Sequence, residues 1–444
     1  MSQTPLADKG TRLGLRLLSR AGGSQVVKSN DQLRATVGRL LYKGSQQGFK
    51  SASAVASVQK RAFARKPGSG EAVRQPAVER KGLFDLTPSE DQAMIQGVAR
   101  ELADEVIRGA GAQADTDRAV PQAVRDAAAH IGLTTIGVPG ELGGISEERS
   151  TVTGVLLLEE LARGDMGIAA SLMAPAAVAN ALALYGDSAQ QETYLTAFTG
   201  DEPPAAAALA FQEPQPLFDP LAPQTTARRE GDELVLDGTK ALVAGAADAE
   251  LVIVSAMLDG EARMVIVEPG AAGLSVADDP AMGIRAAATG RLVLEGVRVP
   301  VANLLGDADD HRVAVRRARL AWCAAACGTA QAVIDQVSGY VKERKAFGEP
   351  IAQRQAVAFT VADMAIELDG LRLATWRAAA QLDAGKDAAE AVAAARALCA
   401  AHTPVIGSGA VQLLGGHGFV KEFDNERWYR DLRGASLLEG TLLV

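Results

Sequence analysis

The sequence predicts an α+β chain of several domains: an N-terminal α-helical domain, a central antiparallel β domain and a C-terminal bundle of long helices. Three observations predict it. A length of 444 residues is a soft prior for two or three domains. Apolar residues make up 48% of the chain but aromatic residues only 4%, so the core must be built mostly from Ala, Val and Leu, as in closely packed helices. Helical periodicity is interrupted over residues 206–300 by short β-branched runs and then returns.

Residues 1–81 form a basic N-terminal extension. They hold 16 Lys and Arg against 4 Asp and Glu, a net of +12; the whole chain is −9, so residues 82–444 carry −21. This is a basic tail on an acidic body, and an acidic body excludes nucleic-acid binding through its bulk field. Gly22-Gly23-Ser24, Gly44-Ser45 and Gly68-Ser69-Gly70 break the extension into short patches. Leu13, Leu17 and Leu18 among Arg12, Arg16 and Arg20 allow a basic amphipathic turn suited to an anionic membrane surface. Three readings stay open: a flexible or membrane-surface tail, an organelle transit peptide, and an ordered helical add-on. The first places the protein in the cytoplasm, peripheral to a membrane; the second places it in the mitochondrial matrix. No continuous apolar run marks a secretory signal.

Residues 82–205 read as helical. Thr87-Pro88-Ser89-Glu90 sets a cap and a proline before a charged and apolar pattern. Helix signals recur at 119–131, 150–163, 174–185 and 188–198. The uncharged run from Met166 to Gly186 is long enough to span a membrane, but it reads better as two buried helical segments broken at Pro175.

Residues 206–304 read as the β domain. Leu234-Val235-Leu236, Leu251-Val252-Ile253-Val254, Met264-Val265-Ile266-Val267 and Leu292-Val293-Leu294 are strand-like, and Asp237-Gly238, Asp259-Gly260 and Glu295-Gly296 are expected to be tight turns between them. Residues 305–444 return to helix: Arg312 to Arg344, Ile351 to Ala384, and Ala388 to Leu414 with Pro404 near its middle. Helices of that length joined by short loops pack as antiparallel neighbours. Cys323, Cys327 and Cys399 form no C-x-x-C pair, which suits a reducing compartment. His130, His311, His402 and His417 are too scattered for a zinc site.

One carboxylate stands out near the end of the chain. Glu439 lies between Leu437-Leu438 and Leu442-Leu443-Val444. Burial there disfavours the charged carboxylate, as a general base working near neutrality requires. Gly440 leaves room for a flat partner to approach the backbone, and Thr441 adds a hydroxyl. The plain alternative is a solvated glutamate at a helix end.

Upstream of this stretch lie Arg344-Lys345-Ala346-Phe347-Gly348, then Gln355, then Gln412-Leu413-Leu414-Gly415-Gly416-His417-Gly418. With Glu439-Gly440-Thr441, their order resembles the acyl-CoA dehydrogenase family, which carries R-x-x-F-G, a following Gln, Q-x-x-G-G-x-G and E-G-T. Val138-Pro139 with Gly143-Gly144, Glu159-Glu160-Leu161-Ala162-Arg163, and Gly283-Ile284-Arg285 through Asn303-Leu304-Leu305-Gly306 resemble its earlier motifs, so the likeness runs from about residue 84 to the C-terminus.

The resemblance implies a four-helix C-terminal domain and FAD-dependent α,β-dehydrogenation of an acyl-CoA thioester to the trans-2-enoyl-CoA. Glu439 is then the α-proton base, with flavin N5 as acceptor of the β-hydride. The Glu439 backbone N–H, with a flavin ribityl hydroxyl, stabilises the enolate oxygen. Some subgroups carry the base at the start of the C-terminal domain, but Arg316-Arg317-Ala318-Arg319 holds no carboxylate there. Arg319 matches a family position near the thioester, or is a surface arginine; Gly440 also belongs to the substrate side. Arg344 matches the arginine that contacts FAD phosphates across a subunit interface. Phe347 is placed near the adenine. Gln355 and Gln412 are placed to hydrogen-bond the dinucleotide, Gly415 and Gly416 to admit it closely, and Thr441 beside it. The simpler reading of Gly415-Gly416 is a helix stop. The implied partners are an acyl-CoA, an electron-transfer flavoprotein and further subunits in a homo- or hetero-oligomer (dimer or tetramer).

The departures are as specific. The family's A-L-T-E-P-x-A-G-S-D is here Ala210-Phe211-Gln212-Glu213-Pro214-Gln215-Pro216-Leu217-Phe218-Asp219, so Gln212 stands for the threonine that meets the flavin ring and Phe218 for the serine that meets phosphate. The family's W-I-T-N-G is here Leu242-Val243-Ala244-Gly245-Ala246. Each lost hydrogen bond weakens binding by about 1 kcal/mol. The family continues beyond E-G-T where this sequence stops at Val444, so either the chain is shortened or the base loop is expected to be looser. Two further readings follow. One is a degenerate homologue with weak or no flavin, acting as a partner subunit or lipid-associated binding protein. The other is a flavoprotein of the same fold with a nucleic-acid role through the basic N-terminus.

Overall fold

A computed structural model describes residues 86–144, 149–199 and 206–444. The extension 1–81, with its membrane, transit-peptide and helical readings, lies outside the described residues. The chain divides into two compact units, 1–98 and 99–444. Ser89, in the first, begins helix α1 (Glu90–Leu102), which runs across the boundary at residue 98, with reciprocal side-chain bonds: Gln92 N–H to Ser89 Oγ at 3.2 Å and Ser89 N–H to Gln92 Oε1 at 3.0 Å.

In the second unit the helices α2 (Arg108–Asp117), α3 (Gln122–His130), α4 (Thr151–Gly164), α5 (Met166–Tyr185) and α6 (Ser188–Tyr194) come first. Asp165 caps α5 by accepting from Ile168 N–H at 2.9 Å. The expected break at Pro175 is absent, for α5 runs through it as one helix. Proline removes one donor and crowds one carbonyl. Here sixteen of the twenty residues of α5 are buried, and packing on several sides outweighs that local cost. Among the described residues two stretches, Met166–Tyr185 and Ala389–Phe419, are long and apolar enough to cross a membrane, and the first is mostly buried within the fold.

An eight-stranded sheet follows, in the order β6-β7-β3-β2-β4-β5-β8 with β1 beside β4. The strands are β1 (Ala207–Ala210), β2 (Thr226–Glu230), β3 (Glu233–Val243), β4 (Leu251–Leu258), β5 (Glu261–Val267), β6 (Leu274–Asp278), β7 (Gly290–Pro300) and β8 (Leu304–Leu305). Most pairs are antiparallel, but β1 lies parallel to β4 along its whole length, and Thr226 of β2 pairs parallel with Met257 of β4. Of the three dipeptides expected to turn the chain, only Asp259-Gly260 does so, with φ of 52° and 86° between the paired Leu258 and Glu261. Asp237-Gly238 and Glu295-Gly296 lie inside β3 and β7. At the first, the register shifts in a bulge, and Asp237 Oδ1 accepts from Gly296 N–H at 2.7 Å.

The last region is four helices: α7 (Ala308–Glu343), α8 (Gln355–Asp383), α9 (Ala389–Leu414) and α10 (Asn425–Gly434). Gly328 lets α7 cross α4 closely, because a Cβ there would meet the Glu159 carbonyl oxygen at 1.9 Å. Between α7 and α8 the chain makes a small hairpin, β9 (Lys345–Ala346) with β10 (Glu349–Pro350).

Helix α10 is tied to the earlier elements by buried charges. Arg427 Nε donates to Asp165 Oδ2 at 2.8 Å, Arg430 forks onto Asp115 at 2.9 and 3.0 Å, and Asp431 accepts from Ile284 N–H at 2.6 Å. Burial, reinforced by Asp165, lifts the Asp431 carboxyl to about 7. Its folded value lies above its unfolded one, so its stabilising contribution is complete below the unfolded value and is lost as pH rises through the folded value. Asp431→Asn is therefore expected to match the wild type near about pH 4 and to melt higher than it near about pH 8. Thermal melts across that range check it, and a Tm difference that stays flat with pH would contradict the assignment.

Candidate functional site

Glu439 lies where three elements converge, and it is buried, with its side chain 8% exposed. The reading of a solvated helix end is thereby overturned. Nor is the carboxylate isolated among apolar side chains. Arg319, on α7, places Nε 3.0 Å from each carboxylate oxygen and Nη2 2.9 Å from Oε1. Arg396, on α9, places Nη2 3.3 Å from Oε1, and its guanidinium also donates to the carbonyls of Leu438 at 2.7 Å and Ala435 at 3.1 Å. Arg319 is not a free surface arginine, for its side chain is 26% exposed and engaged with Glu439. One such pair rarely covers the cost of burying a charge, but additional hydrogen bonds to the same oxygens lower it.

The loop is tied down rather than loose. Trp322 Nε1 on α7 donates to the Gly440 carbonyl at 2.9 Å, and Asn180 Nδ2 on α5 donates to the Leu443 carbonyl at 3.2 Å. Leu438 to Val444 are all buried. Gly440 holds φ at 70°, and a Cβ on it would meet Phe211 Cβ at 2.8 Å. The room that Gly440 leaves is thus filled by Phe211 of the same chain. Thr441 beside it has φ of 66° and is buried.

Phe211 and Gln212 follow β1. The Gln212 carbonyl accepts from Ala241 N–H at 2.9 Å, which fixes its backbone against β3. Its side-chain Oε1 accepts from the Glu439 backbone N–H at 2.9 Å. The next residue, Glu213, is fully buried with Lys240 of β3, with Nζ and Oε1 2.7 Å apart. Glu213 also accepts from the Gln224 and Thr225 N–H groups at 2.8 and 2.9 Å. Burial pushes the Lys240 ammonium down to about 8, and Glu213 opposes that shift. Behind Phe211 the buried His311 ring lies 5.6 Å away and meets Ser255 Oγ at 2.9 Å. Burial lowers His311 to about 4, so it stays neutral.

The other expected residues lie elsewhere, at exposed helix ends and a hairpin of the helical bundle. Arg344 is the C-cap of α7, and Phe347 sits at the hairpin tip with φ of 55°, 96% exposed. Gln355 opens α8, Gln412 lies in the last turn of α9, and Gly415 ends that helix with φ of 60°. All of these, with Gly416, are exposed. A Cβ on Gly415 or Gly416 would meet nothing within 4 Å. Gly415 does stop a helix, and it also leaves an open approach to the backbone.

Family models for the N-terminal, middle and C-terminal domains of acyl-CoA dehydrogenase match residues 89–202, 208–297 and 312–443. The chain belongs to the acyl-CoA dehydrogenase family. It is 33% identical over 369 residues to the mitochondrial short-chain specific acyl-CoA dehydrogenase of Rattus norvegicus, covering 79% of this chain and 87% of the relative. It is 32% identical over 376 residues to the NADH-dependent acryloyl-CoA reductase of Anaerotignum propionicum, covering 82% and 94%. Among solved structures it resembles butyryl-CoA dehydrogenase from Megasphaera elsdenii, with a TM-score of 0.70 at 26% identity, covering 80% and 94%. The N-terminal helical domain, central sheet domain and C-terminal helix bundle are the architecture of this family of acyl-CoA oxidoreductases, whose members bind FAD.

The residues present fit the phosphate and adenine half of FAD. Arg344, Gln355 and Gln412 are exposed donors, and the two glycines leave the backbone open. On the ring side the chain offers less: Leu242 is half-buried, Ala244 is buried, and the oxygen of Gln212 is already bonded to the base loop. Two participants escaped the sequence reading. Arg396 is the lone cation of the Ala-rich stretch 388–401, which is the signal that could have marked it. The Glu213–Lys240 pair gave a fainter signal, a lysine directly before the apolar Ala241-Leu242-Val243 that end a strand. Lys240→Met, which strands a buried carboxylate, is expected to cost about 3–5 kcal/mol of stability by urea unfolding. A loss under about 1 kcal/mol would show that Glu213 is supported mainly by its backbone donors.

Proposed function

We propose that this chain is an oxidoreductase of acyl-CoA thioesters in which Glu439 exchanges the proton at Cα. The observation that carries this is a buried carboxylate clasped by Arg319 and Arg396 at the meeting point of the sheet and the helical bundle. The clasp holds the carboxylate in one place, which is how a base within reach of a weakly acidic C–H is positioned. To take the proton, one carboxylate oxygen must turn from Arg319 toward Cα, while Arg396 keeps the loop in place through the Leu438 carbonyl. The Glu439 N–H is the donor for the thioester oxygen as negative charge develops there.

FAD, when bound, supplies the acceptor for the hydride at Cβ. Arg344, Phe347, Gln355, Gln412, Gly415 and Gly416 are the residues that would hold its phosphate and adenine half, and Thr441 would lie on the ring side. Their exposure on one chain suits a site completed by a second subunit. The exposed Phe359, Ile366 and Leu373 of α8 and Val405 of α9 support an oligomer as well. An electron-transfer flavoprotein is the partner we assign to reoxidation. The relatives bear the names of a dehydrogenase and of a reductase, and one carboxylate serves both directions, removing the α-proton in one and returning it in the other.

A second reading is favoured by Gln212, Phe218, Leu242 and Ala244. These substitutions remove the polar and aromatic side chains that the family's motifs carry, and on this reading the chain acts as a subunit that keeps the fold and completes a neighbour's site without turning over its own flavin. Flavin absorbance of the purified protein separates the two.

Glu439→Gln is expected to reduce turnover by at least about a thousandfold while bound flavin stays unchanged, measured by single-turnover absorbance. Retention of near-normal turnover would remove Glu439 as the base. Arg344→Ala is expected to lower FAD occupancy by roughly tenfold through loss of one charge-assisted contact, read by flavin absorbance per chain after gel filtration. Unchanged occupancy would separate Arg344 from the phosphates.

A further inference from the structure

The backbone N–H of Glu439 is already in use. It donates to Gln212 Oε1 at 2.9 Å, a normal hydrogen-bond length. An N–H has one proton to offer, so a thioester oxygen that needs this donor must displace the Gln212 oxygen. We propose that Gln212 is a positioning residue that acts as a latch, competing with the thioester carbonyl for the Glu439 N–H. This rests on the reading of Glu439 as the group that faces Cα.

Three features make Gln212 the part that moves. The Glu439 loop cannot easily yield, because Arg319, Arg396 and Trp322 hold its carboxylate and the carbonyls on both sides. The backbone of Gln212 cannot yield either, being bonded to Ala241 N–H. The side chain of Gln212 can, because its other end makes only a 3.5 Å contact from Nε2 to the Glu213 carbonyl, and the residue is half-buried. Rotation about its side-chain torsions breaks one good hydrogen bond and no buried ion pair. The latch satisfies a donor that would otherwise stand unpaired without substrate. It also sets a threshold: only a ligand with an oxygen at that position recovers the bond it displaces. The site thereby favours thioesters over CoA derivatives lacking the carbonyl by less than an open donor would.

The test compares acyl-CoA thioesters from butyryl- to palmitoyl-CoA with the matched S-alkyl-CoA thioethers, which lack the carbonyl oxygen. Binding is measured by calorimetry on the full chain as purified, for the wild type, Gln212→Met and Gln212→Asn. Methionine keeps the length without the acceptor; asparagine keeps the acceptor but is too short to reach. Both variants are expected to bind the thioester roughly three- to tenfold more tightly than the wild type, one hydrogen bond's worth, with thioether affinity unchanged. A change common to both ligand types, or no change for the thioester, overturns the latch and leaves the base assignment standing. If neither ligand type binds any of the three proteins, the acyl-CoA reading of the site falls, and the latch falls with it. Near-equal melting temperatures of the three proteins show that the comparison is between folded chains.

Discussion

The structure around the site depends on one constraint: a carboxylate taken out of water has to be held by cations that are themselves held. Glu439 meets two guanidiniums on different helices, and each arginine is partly buried. Isolated burial of such a charge costs several kcal/mol, and attraction offsets it only when the geometry is good and the remaining oxygens and protons are bonded. Arg319 supplies a fork onto both oxygens. Arg396 couples the carboxylate to the peptide carbonyls that lead into it. Helices α7 and α9 must therefore sit side by side with the loop lying across them, and the loop cannot relax without breaking bonds to both.

The same economy explains why the two halves of the candidate cofactor site differ. The phosphate and adenine residues lie at helix ends and a hairpin tip, where backbone turns and open glycines cost little and the side chains face water. They are open to a partner in space; among the described residues Phe347 has the Arg354 guanidinium over its ring, 5.9 Å from the centroid. The ring-side residues lie at the seam between the sheet and the helices. There, unpaired polar groups are expensive, and substitutions have been answered by internal contacts. Gln212 bonds to the Glu439 backbone and Phe211 fills the space over Gly440, while Glu213, which matches the family's motif, is neutralised by Lys240. The outer half is arranged for a ligand; the inner half has found partners within the chain.

Much of this was legible before any coordinate. The strand runs stood out because β-branched and apolar residues recur there in short unbroken runs. The long C-terminal helices stood out because almost nothing in them stops a helix. Arg344, Gln412 and Glu439 were legible because their spacing is specific. The misreadings share a cause. Pro175 looked like a helix end because the local cost of proline is real, but α5 is buried on several sides and packing prevails. Asp237-Gly238 looked like a hairpin because the same dipeptide serves a turn and a bulge, and only the neighbouring strand tells them apart.

By itself, the amino-acid order determined which elements form, in what succession, and which carboxylate stands among apolar neighbours. These follow from interactions a few residues long: periodicity, capping and turn propensity. Only the tertiary structure decided that Glu439 is clasped by Arg319 and Arg396, that its N–H goes to Gln212, and that Phe211 covers Gly440. Electrostatic and hydrogen-bond energies depend on separation through space. Groups 43 residues apart along the chain, as Arg396 and Glu439 are, or 227 apart, as Gln212 and Glu439 are, become partners only once the helices and the sheet have packed.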